Sequence, residues 1–385
     1  MKILMSCRQH PYHLCGGLSI ASWNTAKIAR DIGHEVVYLT GARPDKVASV
    51  EEGIQVYWLK GMSHEADGYD FLYNHLRNTA SRLADEFDLF HSQSSALTPL
   101  LDTGKPIVFQ DHGTMMAAMQ DDHNQNAFGQ KHTPFYDTKV PYHKMYGEFT
   151  RFIAGKEVDY LRRFTRVLST SEISFMDLCT RYYLKNVRLF HHAIYGVENS
   201  TPRASNNLPV VGFFALGLDS PQKSVIHGMK QLLPIKDKVM IKVVGRGNKV
   251  PKFAKENFPH VKVTGYLKEN EAIDALKEMD VLFESSCHHR GCNLTAITAL
   301  GLGIPVVAYP TGGHMDLIGE EGLVQEFGVG GALIDPMKGN ACNTIMHILK
   351  NRPRFSESAI KHFNEVFSPK ACAENLKAIY EEICE

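Results

Sequence analysis

The residues best placed to do chemistry lie in the stretch Glu284 to Val307, ESSCHHRGCNLTAITALGLGIPVV, which closes an apolar run, Val281-Leu282-Phe283. Gly291, Cys292 and Asn293 form the end of a polar loop. An apolar-periodic segment then runs from Leu294 to Leu302, with Thr295 and Thr298 inside it, and a second apolar run follows at Pro305 to Ala308. Strand, loop, helix and strand in this order predict a βαβ unit. A helix that starts just after a loop glycine turns its first backbone N–H groups outward, where a phosphate fits.

Other candidates are weaker singly. His112 follows the run Pro106–Gln110 directly, in Asp111-His112-Gly113-Thr114. Ligands of open α/β sheets bind beyond the carboxyl ends of strands, so an imidazole there is placed to donate or accept a hydrogen bond with a substrate hydroxyl. Gly16-Gly17 stand between a first strand, Lys2 to Ser6, and a helix pattern that stops at Gly33. They suit either a close backbone approach by substrate or a plain tight turn. The spacing is not G-x-G-x-x-G, so there is no dinucleotide fingerprint. Two groups carry zinc ligand types, Cys7, His10, His13 and Cys15, and Cys287, His288, His289 and Cys292. Neither spacing is that of a familiar zinc site, and ordinary loop histidines with free thiols are the reading adopted.

These residues need a frame. A chain of 385 residues suggests two domains. Its 42 basic and 42 acidic residues cancel, so nothing global favours nucleic acid or an anionic membrane. The N-terminal run lacks the long apolar core of a signal peptide, and the eight cysteines read as reduced thiols, which together imply a cytosolic protein. The basic segment Glu148 to Phe164 suits a membrane surface as well as solvent, so peripheral attachment is a second possibility for location.

In the first half, strands are predicted at Lys2–Ser6, His34–Thr40, Ile54–Leu59, Asp88–His91, Pro106–Gln110, Arg166–Thr170 and Val187–His191, with helices between, including Tyr69–Glu86 and Ala96–Leu101. Met115 to Tyr146 is polar and aromatic and reads as a lid or acceptor-binding insertion. Asn199 to Asn207, NSTPRASNN, is polar and without period and reads as the boundary. The second half repeats the alternation, with strands at Val210–Phe214, Val239–Val244, Val261–Thr264, Val281–Glu284, Pro305–Ala308 and Ala332–Ile334. Strand then helix throughout predicts parallel sheets covered on both faces.

Against this frame the chain resembles the family 4 glycosyltransferases, retaining enzymes of the GT-B fold. The resemblance rests on Gly16-Gly17 with Gly33-His34-Glu35-Val36, Ser169-Thr170-Ser171-Glu172, Gly196-Val197-Glu198, Val243-Val244-Gly245-Arg246-Gly247, Gly265-Tyr266-Leu267, Gly303-Ile304-Pro305-Val306-Val307 and Gly312-Gly313. No single piece is specific; their order over nearly the whole length carries the likeness. It implies an α/β GT-B architecture: two Rossmann-like domains, residues 1–200 and 208–365, facing each other across a cleft, with a C-terminal helix, 366–385, crossing back to the first. It implies transfer of a sugar from a nucleoside diphosphate sugar, UDP- or GDP-linked, to a hydroxyl acceptor, with no metal and no permanently bound cofactor. The nucleotide sugar is the co-substrate and expected partner. The acceptor stays open among glycan, lipid, small molecule and modified DNA.

The resemblance assigns His112, Lys223 and Arg290 to catalysis, and Gly16, Gly17, Gly245, Tyr266, Gly291, Cys292, Asn293, Leu294, Thr295 and Thr298 to donor binding. Two departures stand out. Arg290 and Thr298 occupy the positions of two family glutamates, and Leu218 stands where an arginine is usual, so Arg290 is expected to take over that arginine's hold on phosphate. Two alternatives remain: a phage-type transferase acting on modified DNA bases, and a nucleotide-sugar-binding protein without turnover.

Overall fold

The computed structural model describes residues 1–7, 10–11, 16–41, 47–59, 67–93, 95–112, 148–197, 208–220, 223–286, 291–319 and 327–384. The insertion read at Met115 to Tyr146, the linker Asn199 to Asn207 and Arg290 lie outside these residues. The chain forms two compact units. One gathers the described residues up to Ala193 and those from Pro369 onward; the other is Ile194–Ser368.

The first unit contains β1 (Lys2–Cys7), α1 (Gly17–Asp31), β2 (Glu35–Gly41), β3 (Ala48–Glu51), β4 (Ile54–Leu59), α2 (Asp67–Glu86), β5 (Leu89–Ser92), β6 (Ile107–Asp111), α3 (Glu148–Arg163), β7 (Arg166–Ser169), α4 (Glu172–Thr180) and β8 (Val187–Leu189). The strand order is β3-β4-β2-β1-β5-β6-β7-β8, and all pairs are parallel except β3 with β4. The four-residue edge strand β3 carries no long apolar run, and sequence pattern passes over it. The helix predicted at Ala96–Leu101 is a 3-10 turn, Ser95–Leu100. Pro99 lies inside it and has no N–H for an α-helical bond.

The second unit contains β9 (Val210–Gly217), α5 (Val225–Leu232), β10 (Met240–Arg246), α6 (Lys249–Asn257), β11 (Val261–Gly265), α7 (Glu269–Lys277), β12 (Val281–Glu284), α8 (Leu294–Gly301), β13 (Val306–Ala308), α9 (His314–Ile318), β14 (Phe327–Gly328), β15 (Gly331–Leu333), α10 (Ala341–Lys350) and α11 (Arg352–His362). Its order is β11-β10-β9-β12-β13-β15-β14, parallel but for the short edge pair β14 and β15. Successive residues face opposite sides: Val211, Phe213 and Phe283 enter one core, and Val210, Val244 and Leu282 the other. Both faces are therefore dry, which is why these strands read as continuous apolar runs.

The last helix, α12 (Pro369–Cys384), belongs to the first unit and packs on α1. The Tyr380 hydroxyl and His91 Nδ1 share a 2.7 Å hydrogen bond, Asn375 Nδ2 donates to the Leu189 carbonyl at 3.0 Å, and Glu382 meets Arg188 at 2.8 Å. The exchange between units falls earlier than the polar linker. Ile194 donates its N–H to the Phe367 carbonyl at 3.3 Å, and Ile194 and Val197 are buried in the second unit's core. Apolar side chains, not linker composition, set where the unit begins.

One ion-pair group invites a pH test. Lys242 in β10 has 2% of its side chain exposed and lies 2.7 Å from Glu278, which also meets Lys262 at 2.8 Å. Burial works to raise the Glu278 carboxyl, but the two ammonium groups outweigh it and hold it below the usual glutamate range. A depressed carboxyl adds stability above its unfolded value and loses it as pH falls through the folded one. The urea midpoint should drop as the solution is acidified from about pH 6 to about pH 3, and Glu278→Gln should flatten that slope. An unchanged slope in the variant would remove Glu278 from the acid response.

Candidate functional site

In each sheet the chain first winds one way and then the other, and the reversal leaves a crevice at the carboxyl ends of two neighbouring strands. In the second unit that point lies between β9 and β12. Three loops meet there. Lys223 follows β9, Ser285 and Ser286 follow β12, and Thr311 to Gly313 follow β13. Ser285 Oγ donates to the Lys223 carbonyl at 2.9 Å, and Thr311 Oγ1 donates to the Ser286 carbonyl at 2.9 Å. Cys292 Sγ lies 3.4 Å from the Gly313 carbonyl. A Cβ on Gly313 would come within 2.5 Å of the Cys292 nitrogen, so only glycine lets the two loops close up.

The helix behind these loops is set by a buried carboxylate. Glu284, 4% exposed, accepts from the Ser286 N–H at 3.1 Å, from Ser286 Oγ and from Asn293 Nδ2. Asn293 Oδ1 in turn accepts from the Thr295 N–H at 2.9 Å and caps α8. That uses one N–H of the first turn; helix geometry gives the others no partner within the helix. The N-terminus of α6 is different. Asp219 accepts from the N–H groups of Asn248, Lys249 and Val250 at 2.7, 3.0 and 2.9 Å. Burial acts to raise its carboxyl, and these donors overcome that and hold it low. The chain's own carboxylate thus fills the anion position at α6, whereas α8 carries a neutral cap.

Electrostatics agree with this placement. Burial lowers the His314 imidazole; the Glu284 carboxylate and the Tyr309 carbonyl oppose that, and the Lys223 ammonium reinforces it. The Lys223 ammonium is therefore within electrostatic reach of His314. Thr298, also on α8, donates its hydroxyl to the Leu294 carbonyl at 2.8 Å, so its proton is committed to its own helix. Leu218 is buried in the core. Gly245 has φ +135, and a Cβ there would lie 1.7 Å from the Ala215 carbonyl, so strand packing already requires glycine at that position. Tyr266 is partly exposed, with the Arg246 guanidinium 4.3 Å from its ring centroid.

In the first unit the reversal lies between β1 and β5. His112 follows β6, and its Nε2 lies 2.6 Å from Gln93 Oε1, just past β5. Burial lowers the His112 imidazole to about 4. Gly16 caps α1 with φ −135, a conformation open to any residue, and among the described residues nothing lies within 4 Å of a Cβ placed there. Gly17 begins α1 and is exposed. The His10 ring packs edge-on to Trp23, Tyr38 and Trp58 at 4.3, 5.7 and 5.0 Å. His13, Cys15, Cys287, His288 and His289 lie outside the described residues.

The second unit thus brings Lys223 and the segment Gly291 to Thr298 to one end of its sheet, while His112 and Gly16 lie at the corresponding end of the first. Glu284 enters the sequence reading only as the end of a strand, and Gln93 and His314 do not enter it. A charged or amide residue at the end of an apolar strand was the available signal for the first two. His314 sits one residue past Gly312-Gly313 and gave no signal of its own.

Residues 208–338 match the model of a family described as glycosyl transferases group 1. Among curated proteins, none matches the sequence. Solved structures do resemble it. Sucrose-phosphate synthase from Thermosynechococcus elongatus superposes with a TM-score of 0.74 at 15% identity, covering 99% of this chain and 98% of that one. Anabaena Alr3699/HepE, in complex with UDP and glucose, gives 0.67 at 15% identity over 99% and 100%. The catalytic domain of Starch Synthase IV from Arabidopsis thaliana, bound to ADP and acarbose, gives 0.68 at 12% identity over 99% and 99%. The fold is that of the GT-B glycosyltransferases.

Proposed function

We propose that this chain is a retaining glycosyltransferase that moves a sugar from a UDP- or GDP-linked donor to a hydroxyl acceptor. The observation that carries the proposal is the meeting of Lys223, the neutral-capped N-terminus of α8 and the Gly312-Gly313 loop at the switch point of the second sheet. A diphosphate there receives backbone N–H groups and an ammonium, and Arg290, read from the sequence, adds a second cation. These groups gain most when the leaving diphosphate takes up charge, so they stabilise the transition state more than the bound donor. In the step itself the bond from the anomeric carbon to the phosphate oxygen breaks. The acceptor oxygen forms the new bond on the same face, and its proton passes to the departing phosphate. No pair of catalytic carboxylates is needed, unlike in glycoside hydrolysis. The Tyr266 ring with Arg246 offers a flat, partly exposed surface suited to a base.

A panel of UDP-, GDP- and ADP-sugars, read by thermal shift and by release of nucleoside diphosphate, tests this. A matching donor at about one hundred times its dissociation constant should add about 2.7 kcal/mol of stability. The anomeric configuration of the product, read by NMR, tests retention. If no donor shifts the melting temperature and none is cleaved, the proposal is abandoned.

A further inference from the structure

Tyr309 ties together two of the three loops at the second unit's switch point. It follows β13 and is fully buried, with its ring edge-on to Phe283 at 5.7 Å. Its carbonyl accepts from the Thr311 N–H at 2.8 Å and from His314 Nδ1 at 3.0 Å, on either side of Gly312-Gly313. Its hydroxyl reaches α5. Gln231 Nε2 donates to that hydroxyl at 3.2 Å and to the Pro336 carbonyl at 2.8 Å. A carbonyl only accepts, so Pro336 fixes which end of the Gln231 amide faces the hydroxyl. The hydroxyl, accepting there, gives its own proton to His227 Nδ1 at 2.8 Å.

The start of α5 needs such a tie. Ser224, between Lys223 and the helix, is held at φ +47 and ψ +30, a left-handed conformation that strains a residue with a side chain. Strain of this kind persists only where the surroundings over-determine the backbone. Ser285 holds the Lys223 carbonyl from one side. Gly228 lets α5 press on the same loop, since a Cβ there would come within 2.8 Å of the Ser285 Cβ. His227 and Gln231 stand one helical turn apart, so both meet the one hydroxyl and hold the helix itself.

We infer that Tyr309 is a positioning residue for the diphosphate site: its hydroxyl, through His227 and Gln231, holds the strained turn at Ser224 and with it the Lys223 ammonium, while its carbonyl holds the Gly312-Gly313 loop. The inference rests on the transferase reading and deepens it, because it names what keeps the Lys223 charge in place. Without the hydroxyl α5 draws back, Ser224 relaxes, and Lys223 moves with it. The carbonyl tie is main chain and survives any substitution at 309, so the two ties can be separated.

The test compares Tyr309→Phe, His227→Leu and His227→Asn in the full chain, each alone and with Ser224→Gly. Phenylalanine keeps the ring in the core and loses only the hydroxyl. Tyr309→Phe and His227→Leu should each lower kcat for nucleoside diphosphate release by about 10–100-fold, the cost of misplacing a group by about 1 Å, with KM little changed. Inorganic pyrophosphate carries the charge that the leaving group takes up, so its binding, read by calorimetry, should weaken along with kcat. His227→Asn sets an amide near the place of Nδ1 and should recover most of the rate. With Ser224→Gly the turn is no longer strained, and Tyr309→Phe should lose most of its effect. A tyrosine that only fills the core would lower the melting temperature and leave kcat and pyrophosphate affinity unchanged, and that result overturns the inference. Equal losses with and without Ser224→Gly overturn it as well. If pyrophosphate binding follows the variants but no nucleotide sugar is cleaved, the transferase reading has failed and the positioning role stands. If the unaltered protein neither binds pyrophosphate nor cleaves any nucleotide sugar, both fall.

Discussion

Lys223→Ala is expected to lower kcat/KM for release of nucleoside diphosphate by about 10²–10³, the usual cost of removing one preorganised group that stabilises transition-state charge. The reasoning separates side chain from backbone. The Lys223 carbonyl is what Ser285 Oγ holds, and the alanine variant keeps that bond, so the loop should stay in place. What is lost is the ammonium whose charge reaches His314. The melting temperature should therefore move little while turnover collapses. Lys223→Arg should recover part of the rate, because charge returns with a different shape. Unaltered turnover in the alanine variant would move the diphosphate away from this loop and undo the site as described.

Glu284→Gln should have the largest effect on stability. One carboxylate serves three donors here, on Ser286 and Asn293. An amide keeps one acceptor oxygen and turns an N–H₂ toward a donor, leaving a buried group unpaired on each side. Unpaired buried donors cost about 1–3 kcal/mol each, so a loss of about 3 kcal/mol is expected. For a unit of this size that is a fall of about 6–12 °C in melting temperature. The same change frees Asn293, whose amide fixes the start of α8, so donor affinity should weaken with stability. A variant that melts like the unaltered protein would show that Glu284 does not order this helix.

Much of this arrangement is legible in the sequence. The second-unit strands were found because each is apolar on both faces, and the helix from Leu294 because a polar loop with a glycine precedes an apolar period. The glycine at 245 was visible as a motif, but its reason was not: the Ala215 carbonyl packs against it across a register shift between β9 and β10. Glu284 was seen only as the end of a strand, since the hydrogen bonds that give it work come from residues folded back upon it. Gln93 and Gln110 lie 17 positions apart, and His192 lies 82 beyond Gln110, so their chain of bonds leaves no local trace. The contact division between the two units, at Ile194, leaves no local trace for a related reason. Composition marks where a chain is polar, whereas Ile194 and Val197 join the second core ahead of that polar run.

The position of α12 has a consequence for biosynthesis. Its Tyr380 and Glu382 anchor to His91 and Arg188, residues translated far earlier. During synthesis the first unit must wait, its sheet lacking one helix, while the whole of the second unit emerges and folds. A chain cut before Pro369 would therefore keep the whole of the second unit and leave the first without α12, baring the apolar surface that Leu376, Ile379 and Tyr380 cover.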